Sequence, residues 1–253
     1  MSDHLTLDRR DYIEKKLQAE GSVKASELAE LFAVSSETIR KDFIYLEQKG
    51  VAKKTYGGAV SSKIGYEPSF VEKSVKNLEE KNRIAAKAIE RIENGMSLIL
   101  DGGSTIFALA RSLAIKKDIT VFTVGLKAAQ ILDEYGITTY LLGGMVRHNS
   151  NTIIGGWALR NLAEIRVDLA ILGTSGFFDR LGPCVENFHE ADLKRAMIQS
   201  GNRIIVLGDA DKSTTQAVIE FAKWSEIDEF ITDKRIDSEI MDTIRQSTAV
   251  TAV

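Results

Sequence analysis

Apolar side chains recur at helical spacing in three short runs over the first sixty residues. Tyr12, Ile13 and Leu17 give an opening helix an inner face, which Gly21 closes. Leu28, Leu31 and Phe32 do the same for a helix starting near Ala25, and Ile39, Phe43 and Leu46 follow at i, i+4 and i+7. Val34-Ser35 between the last two reads as a tight turn, with the Ser35 hydroxyl placed to cap the third helix. With its apolar stripe inward, that helix turns Glu37, Lys41, Ile44 and Gln48 outward, flanked by Arg40 and Tyr45. Beyond Gly50, a residue able to end a helix in a left-handed conformation, 51–56 reads as a strand and Gly57-Gly58 as a turn.

From Glu79 the pattern changes to helix and strand in alternation. Ile84, Ala88, Ile89 and Ile92 share one helical face that ends at Gly95, and 96–100 follows as a buried strand. Apolar runs recur at 119–124, 138–142, 168–172, 203–207 and 229–232, mostly separated by lengths that hold helices or long loops. Such spacing predicts a mostly parallel, Rossmann-like α/β sheet covered on both faces. The domains expected are therefore a winged helix-turn-helix over 1–60, a linker over 61–77 with Ser61-Ser62, Gly65 and Pro68, and a larger α/β domain over 78–253. The glycine-rich stretch 143–165 reads as loops around a ligand or an interface.

Two sets of residues carry candidate chemistry. On the small module, Ser35, Ser36 and Thr38 sit where phosphate oxygens of a duplex would be met, while Arg40 and Lys41 can reach guanine edges and Tyr45 flanks them. Lys53, Lys54 and Tyr56 form a basic wing. The plain alternative is a helical module that packs on something else, with its charges solvated.

On the large module, Asp101-Gly102-Gly103-Ser104-Thr105 falls between a strand and a helix, where ligands bind in parallel sheets. Glycines let a ligand approach the backbone, and the first N–H groups of the helix favour a phosphate. Asp101 is a candidate for sugar hydroxyls and Lys212, in a second strand-end loop, for the anion. Gly143, Arg147, Gly173 and Glu190 complete the set. An ordinary strand-to-helix turn capped by Ser104, and a solvated Lys212, are the plain readings. His148 stays unassigned, His189 reads as a local partner, Cys184 as an inert thiol, and Trp157 and Trp224 as core or interface.

Composition narrows the classes. At 253 residues with 44% hydrophobic content the chain can bury a sizeable core. It has no run of eighteen apolar residues, and 1–4 lacks a signal-like pattern, so a cytoplasmic protein is expected. One cysteine and three scattered histidines give no metal motif, and no cofactor is expected. A net charge of −3 is unusual for a DNA binder and implies that affinity comes from presenting two or more heads at once, hence a homo-oligomer.

The run Ser26-Glu27-Leu28-Ala29 through Thr38-Ile39-Arg40-Lys41-Asp42, with Leu46-Glu47, Gly50 and Tyr56-Gly57-Gly58-Ala59, resembles the DNA-binding domain of the DeoR family of bacterial sugar-catabolism regulators. The second half resembles its sensor domain, similar in fold to ribose-5-phosphate isomerase. That resemblance rests on Leu100 to Thr105, Leu142-Gly143-Gly144, Gly173-Thr174-Ser175-Gly176, Glu190 with Lys194-Arg195, Asp211-Lys212 and Ile231-Thr232-Asp233. It implies a repressor released from double-stranded operator DNA by a phosphorylated sugar. Departures are Phe43 where Leu is usual, Tyr56 where His is usual, and Thr123-Val124-Gly125 where the family has Thr-Asn-Ser. The related isomerases carry an acidic Gly-Ala-Asp segment where Gly173-Thr174-Ser175 stands, so one carboxylate is missing and binding without turnover is expected. Glu190 as a base keeps an isomerase with an appended DNA module as the alternative, and an architectural DNA binder without a ligand is a third class.

Overall fold

The computed structural model describes residues 2–20, 22–55, 57–61 and 68–253, which fall into two compact units, Met1–Pro68 and Ser69–Val253. The first unit holds helices α1 (Ser2–Glu20), α2 (Ala25–Leu31) and α3 (Ser36–Gln48) and strands β1 (Ser22–Lys24), β2 (Ala52–Thr55) and β3 (Gly58–Ser61). Its core joins Ile13 and Leu17 of α1, Leu28 of α2 and Ile39, Phe43 and Leu46 of α3 with Ala52 and Ala59 of the hairpin. The wing is antiparallel β2–β3, turned at Gly57 (φ +84°), and β1 adds a third strand to it. Three residues are too few to show a period, which is why β1 escapes a reading of the pattern.

Two expected inner-face residues lie outside. Helix α2 ends at Leu31, the chain reverses at Ala33 (φ 50°), and Leu31 is left exposed. Tyr12 is 42% exposed and meets Phe32 edge-on at 5.3 Å over the rim of the core. Gly50 takes the left-handed conformation expected of it (φ +68°). Gly21, Tyr56 and residues 62–67 lie outside the described residues.

The second unit is built on α4 (Phe70–Val75), α5 (Leu78–Ala88), β4 (Ser97–Leu100), α6 (Ser104–Ser112), β5 (Thr120–Thr123), α7 (Leu126–Glu134) and β6 (Thr138–Leu141). The chain continues through β7 (Met145–Arg147), β8 (Thr152–Ile154), α8 (Gly156–Ala163), β9 (Val167–Gly173), β10 (Cys184–Val185), α9 (Phe188–Ser200) and β11 (Gly201–Leu207). It ends with β12 (Ile219–Glu220), β13 (Glu229–Thr232), α10 (Ser238–Arg245) and β14 (Ala249–Ala252). Seven strands form one sheet in the order β14-β13-β11-β9-β4-β5-β6, every pair parallel. Side chains alternate between two layers: Leu98, Leu100, Leu169, Ile171, Ile205 and Leu207 meet α5, α6 and α7, while Ile99, Ala170, Leu172, Ile204 and Val206 meet α8 and α9. Burial on both faces explains the unbroken apolar runs in the sequence.

Three elements depart from expectation. Helix α4 lies in the stretch read as linker, started by a capping box in which the Ser69 and Glu72 side chains satisfy each other's backbone N–H groups. The stretch 143–165 contains the β7–β8 hairpin and α8 rather than loops alone, and β14 adds a strand at the C-terminal end.

The hairpin folds back over the end of β4, where Gly125 bridges to Thr152 and a Cβ on Gly102 would stand 2.4 Å from the Thr152 hydroxyl oxygen. Gly102→Ala should therefore cost about 1–3 kcal/mol in denaturant unfolding, as overpacking does. Combining it with Thr152→Ala should recover part of that loss, and equal stability of Gly102→Ala and the parent would show that the hairpin does not clamp this turn.

Candidate functional sites

In the first unit the outward face of α3 is as the periodicity predicts: Glu37, Arg40, Lys41, Ile44 and Gln48 are exposed. Ser35 caps α3 by accepting from the Thr38 N–H (3.1 Å), and its hydroxyl also meets the Thr38 hydroxyl at 2.9 Å. Ser36, Arg40, Lys54 and Gly57 line one groove of about 460 Å³ between the starts of α2 and α3 and the wing. Arg40 pairs with Glu37 at 3.7 Å in the open, a contact worth little and readily exchanged for a phosphate or a base. The wing is seated by the Lys54 N–H donating to the Glu47 carboxylate (2.8 Å), with Lys53 exposed beside it. Tyr45 is half-buried: the Arg10 guanidinium lies 3.9 Å from its ring centroid, so that face of the ring is covered.

Asp42 is the residue the pattern should have flagged, since it falls on the inner face between Ile39 and Phe43. It is buried, and its two oxygens accept from the Nε of Arg9 (2.6 Å) and of Arg10 (2.7 Å), locking α1 to α3. Removing a buried charge leaves its partners uncompensated. Asp42→Ala should lower the unfolding free energy of this unit by about 3–5 kcal/mol, and an unchanged melting profile would show the pair to be dispensable.

In the second unit the direction of the sheet reverses between β4 and β9, with β5 and β6 to one side and β11, β13 and β14 to the other. A crevice opens at the carboxyl ends of strands at such a point. Asp101 occupies it, buried, with one carboxylate oxygen accepting from the Gly173 N–H (2.9 Å) and from the Lys194 ammonium, which also donates to the Gly173 carbonyl (2.9 Å). Asp101 and Gly173 are thus engaged first in closing the sheet. The other Asp101 oxygen makes no hydrogen bond among the described residues.

After Asp101 the backbone passes through Gly103 at φ +98° into α6, whose N-terminus no side chain caps. Ser104 is therefore the first helical residue and not its cap, Thr105 is buried beneath the first turn, and the leading N–H groups have no side-chain acceptor. In the hairpin loop above, the Ser150 hydroxyl is buried without a hydrogen-bond partner. Val124 is fully buried in the same core cluster as Ile153 and Ile154, and its backbone carbonyl accepts from the N–H of Ile153 at 2.7 Å, so it supports the hairpin from below.

Lys212 lies in a 3₁₀ turn after β11, its stem over Gly208 and beside Thr174 at the end of β9. The α6 N-terminus and Lys212 thus flank the end of β9 from the two neighbouring strands, roughly 10 Å apart by strand spacing. Lys212 makes no side-chain hydrogen bond or ion pair among the described residues. Burial pulls its ammonium below the usual lysine range; Asp209 opposes that shift, and Lys73 and Lys76 reinforce it. On the hairpin side, Arg147 and Glu190 come together at 3.3 Å, tying β7 to the first turn of α9. Gly143 stands open to solvent, and the close approach is made by Gly144, whose Cβ would meet the Ile154 carbonyl at 2.5 Å. Arg195 faces away, bonded to Asp192 and the Glu220 carbonyl.

Two buried lysines were not among the sequence candidates. Lys194 is described above. Lys81 of α5 donates to the carbonyls of Lys73 (2.6 Å) and Lys76 at the end of α4 and stands 4.0 Å from Asp209, and burial draws its pKa down to about 8. Asn77, left-handed at φ 52°, donates its amide to the other Asp209 oxygen at 3.0 Å. Among the described residues no cluster of His, Cys, Asp and Glu is arranged for a metal, and no helix is long and apolar enough to cross a membrane.

A winged helix-turn-helix unit joined in one chain to a parallel α/β unit with a switch point between β4 and β9 defines the class of two-part DNA-binding transcriptional regulators. The DeoR-like helix-turn-helix domain matches residues 9–64 and the DeoR C terminal sensor domain residues 76–234. The chain belongs to the DeoR family. It is 32% identical over 246 residues to a relative in Escherichia coli O157:H7 named for repression of the aga operon, covering 96% of this chain and 91% of that one. It is 31% identical over 229 residues to the glycerol-3-phosphate regulon repressor of Escherichia coli K12, with 89% and 90% covered. With the repressor GlcR of Bacillus subtilis the identity is 30% over 220 residues, 86% and 84% covered. Among solved structures, ribose 5-phosphate isomerase A of Methanocaldococcus jannaschii aligns at 19% identity and a TM-score of 0.41, over 54% of this chain and 55% of that one.

Proposed function

We propose that this regulator is a repressor of a carbohydrate-catabolism operon, that it grips its operator as a homo-oligomer with paired heads, and that a phosphorylated sugar or sugar derivative in the crevice releases it. The observation that carries the ligand class is Lys212, a half-buried ammonium with no hydrogen-bonding or ion-pairing partner among the described residues, two strands from an uncapped helix N-terminus. Both are short of a negative charge, and a phosphomonoester supplies it. The free Asp101 oxygen and the orphan Ser150 hydroxyl suit sugar hydroxyls. Relatives named for the aga operon and the glycerol-3-phosphate regulon support the same class. Glu190 is held by Arg147 and is not poised to take a proton from a substrate carbon, which favours binding without turnover.

On the DNA side, Ser36, Arg40 and Lys54 would meet backbone and bases in the groove they share, with Lys41 along the exposed face and Lys53 on the wing. Operator affinity is best read on a duplex from upstream of its own operon, titrated with sugar phosphates and with the same sugars unphosphorylated. One sugar phosphate should weaken binding about 5- to 150-fold, its neutral parent should not, and Lys212→Ala should bind the duplex but ignore the effector. Arg40→Ala should weaken the duplex by about 1–3 kcal/mol with the fold intact. Indifference of operator affinity and thermal stability to every sugar phosphate would sink the proposal.

The route from crevice to head begins where α4 meets α5. Asp209, three residues before Lys212, holds Asn77 and faces Lys81, which grips the last carbonyls of α4. A ligand that repositions Lys212 therefore acts on the first helix after Pro68, through differential affinity for two settings of this corner. Asn77→Gly keeps the left-handed backbone and deletes the amide. It should leave sugar-phosphate binding, measured calorimetrically, within about a factor of three while cutting most of a coupling of about 1–3 kcal/mol. Full induction by this variant would place the route elsewhere.

A further inference from the structure

The seven-stranded sheet has one side that its own chain leaves unfinished. Parallel sheets are covered on both faces, and here the inner strands comply. Strand β6, at the margin, does not: Thr138, Tyr140 and Leu141 are exposed, and among the described residues its outer row of N–H and C=O groups has no strand beside it. Tyr140, 54% exposed, stacks on the partly buried Phe122 of β5 (centroids 4.9 Å, planes 13° apart), beyond the reach of the α8–α9 layer. The apolar surface continues along the chain into Met145 (63%) and Val146 (51%) of β7. Trp157 follows Ile154, the residue paired with Met145, and is exposed as well.

Edge strands that must stay single are guarded by charges, proline or bulges. Residues 137–146, Ile-Thr-Thr-Tyr-Leu-Leu-Gly-Gly-Met-Val, contain no charge and no proline. The opposite edge, β14, exposes no large apolar side chain. A charged peptide or nucleic acid has nothing to recognise on β6. A strand with the same uncharged composition matches it both by backbone hydrogen bonding and by side chain, and a second copy of this chain provides one.

We propose that β6 pairs antiparallel with β6 of a second copy about a two-fold axis, joining two sheets into one of fourteen strands. The five exposed apolar side chains, Tyr140, Leu141, Met145, Val146 and Trp157, offer on the order of 500 Å² per copy, and the strand contact brings an isologous pair toward the roughly 1,200–2,000 Å² of a stable interface. This rests on the reading above that the chain works as a homo-oligomer, and names the surface that makes it one.

Cross-linking tests it, because the single native cysteine, Cys184, is buried. In antiparallel pairing about a two-fold, the residue at the axis faces its own counterpart with Cα atoms about 4.5–5.5 Å apart, within disulfide range. Cysteine is placed singly at Thr138, Thr139, Tyr140 and Leu141 in the full chain, and each variant is oxidised at low micromolar concentration. Light scattering on the parent should give at least twice the 27.9 kDa chain mass, Tyr140→Lys should halve it, and one of the four cysteines should cross-link a pair. An oligomeric parent with no cross-link at any position overturns this interface and leaves the oligomer reading intact. A parent of single-chain mass overturns both. Cross-linking by one cysteine supports the pairing even where Tyr140→Lys fails to fold.

Discussion

The body of this regulator depends on one buried ion pair at the reversal of its sheet. A sheet that grows in both directions from its middle must part at the carboxyl ends of β4 and β9, and the backbone groups there lose the neighbours that later residues would have given them. Asp101 and Lys194 take their place: the carboxylate accepts from the Gly173 N–H, the ammonium donates to the Gly173 carbonyl, and each neutralises the other. Such a pair adds little net stability against an apolar substitute, since desolvation offsets most of the attraction. What it fixes is position. With Asp101 held, the next two glycines enter α6 at one angle and present its N-terminus to the crevice.

The same constraint bears on how the proposed ligand would act at a distance. On the β4–β9 side Asp101, Lys194 and Gly173 bond one another, whereas on the β11 side Lys212 has no hydrogen-bonding or ion-pairing partner among the described residues and Asp209 is shared with Asn77. On the proposed reading, a charge arriving beside Lys212 would change the field felt by Lys81, whose pKa burial draws down to about 8, and by the end of α4 that Lys81 holds. Sub-ångström shifts in a packed corner resolve into discrete arrangements because the surrounding core does not deform continuously.

Much of this was legible in the residues, for reasons that also mark the limit. Most of the sheet strands could be read because burial on both faces writes continuous apolar runs, β6 because its exposed Tyr140 and Leu141 are apolar all the same, and α3 because Ile39, Phe43 and Leu46 keep strict spacing. The hairpin β7–β8 escaped because its strands are three residues long and Met145 and Val146 face outward, so no alternation shows. Helix α4 escaped because six residues hold too few turns to reveal a period, although Ser69 and Glu72 spell a capping box. Lys81 escaped because it has the same chemistry as any solvated helix lysine until tertiary contacts surround it; Lys194 was noted beside Glu190, but its pairing with Asp101 was not legible, whereas Asp42 could have been found from its place on an apolar stripe.

Charge and assembly meet in the head. The chain carries 36 acidic against 33 basic side chains, so its net charge supplies no long-range attraction to a duplex, and on the proposed reading contact is made locally by Arg40, Lys41, Lys53 and Lys54. Four cations neutralise few phosphates, and the binding they confer falls steeply with salt. Linking two such heads converts the second encounter into an intramolecular one, raising affinity by about 10²–10⁴ with no new contact. That gain vanishes when geometry forbids both heads to engage at once. On the proposed reading, a regulator of this composition stores its control in the spacing of its heads rather than in their chemistry, and the β6 edge proposed to join two bodies is the element on which that spacing would be built.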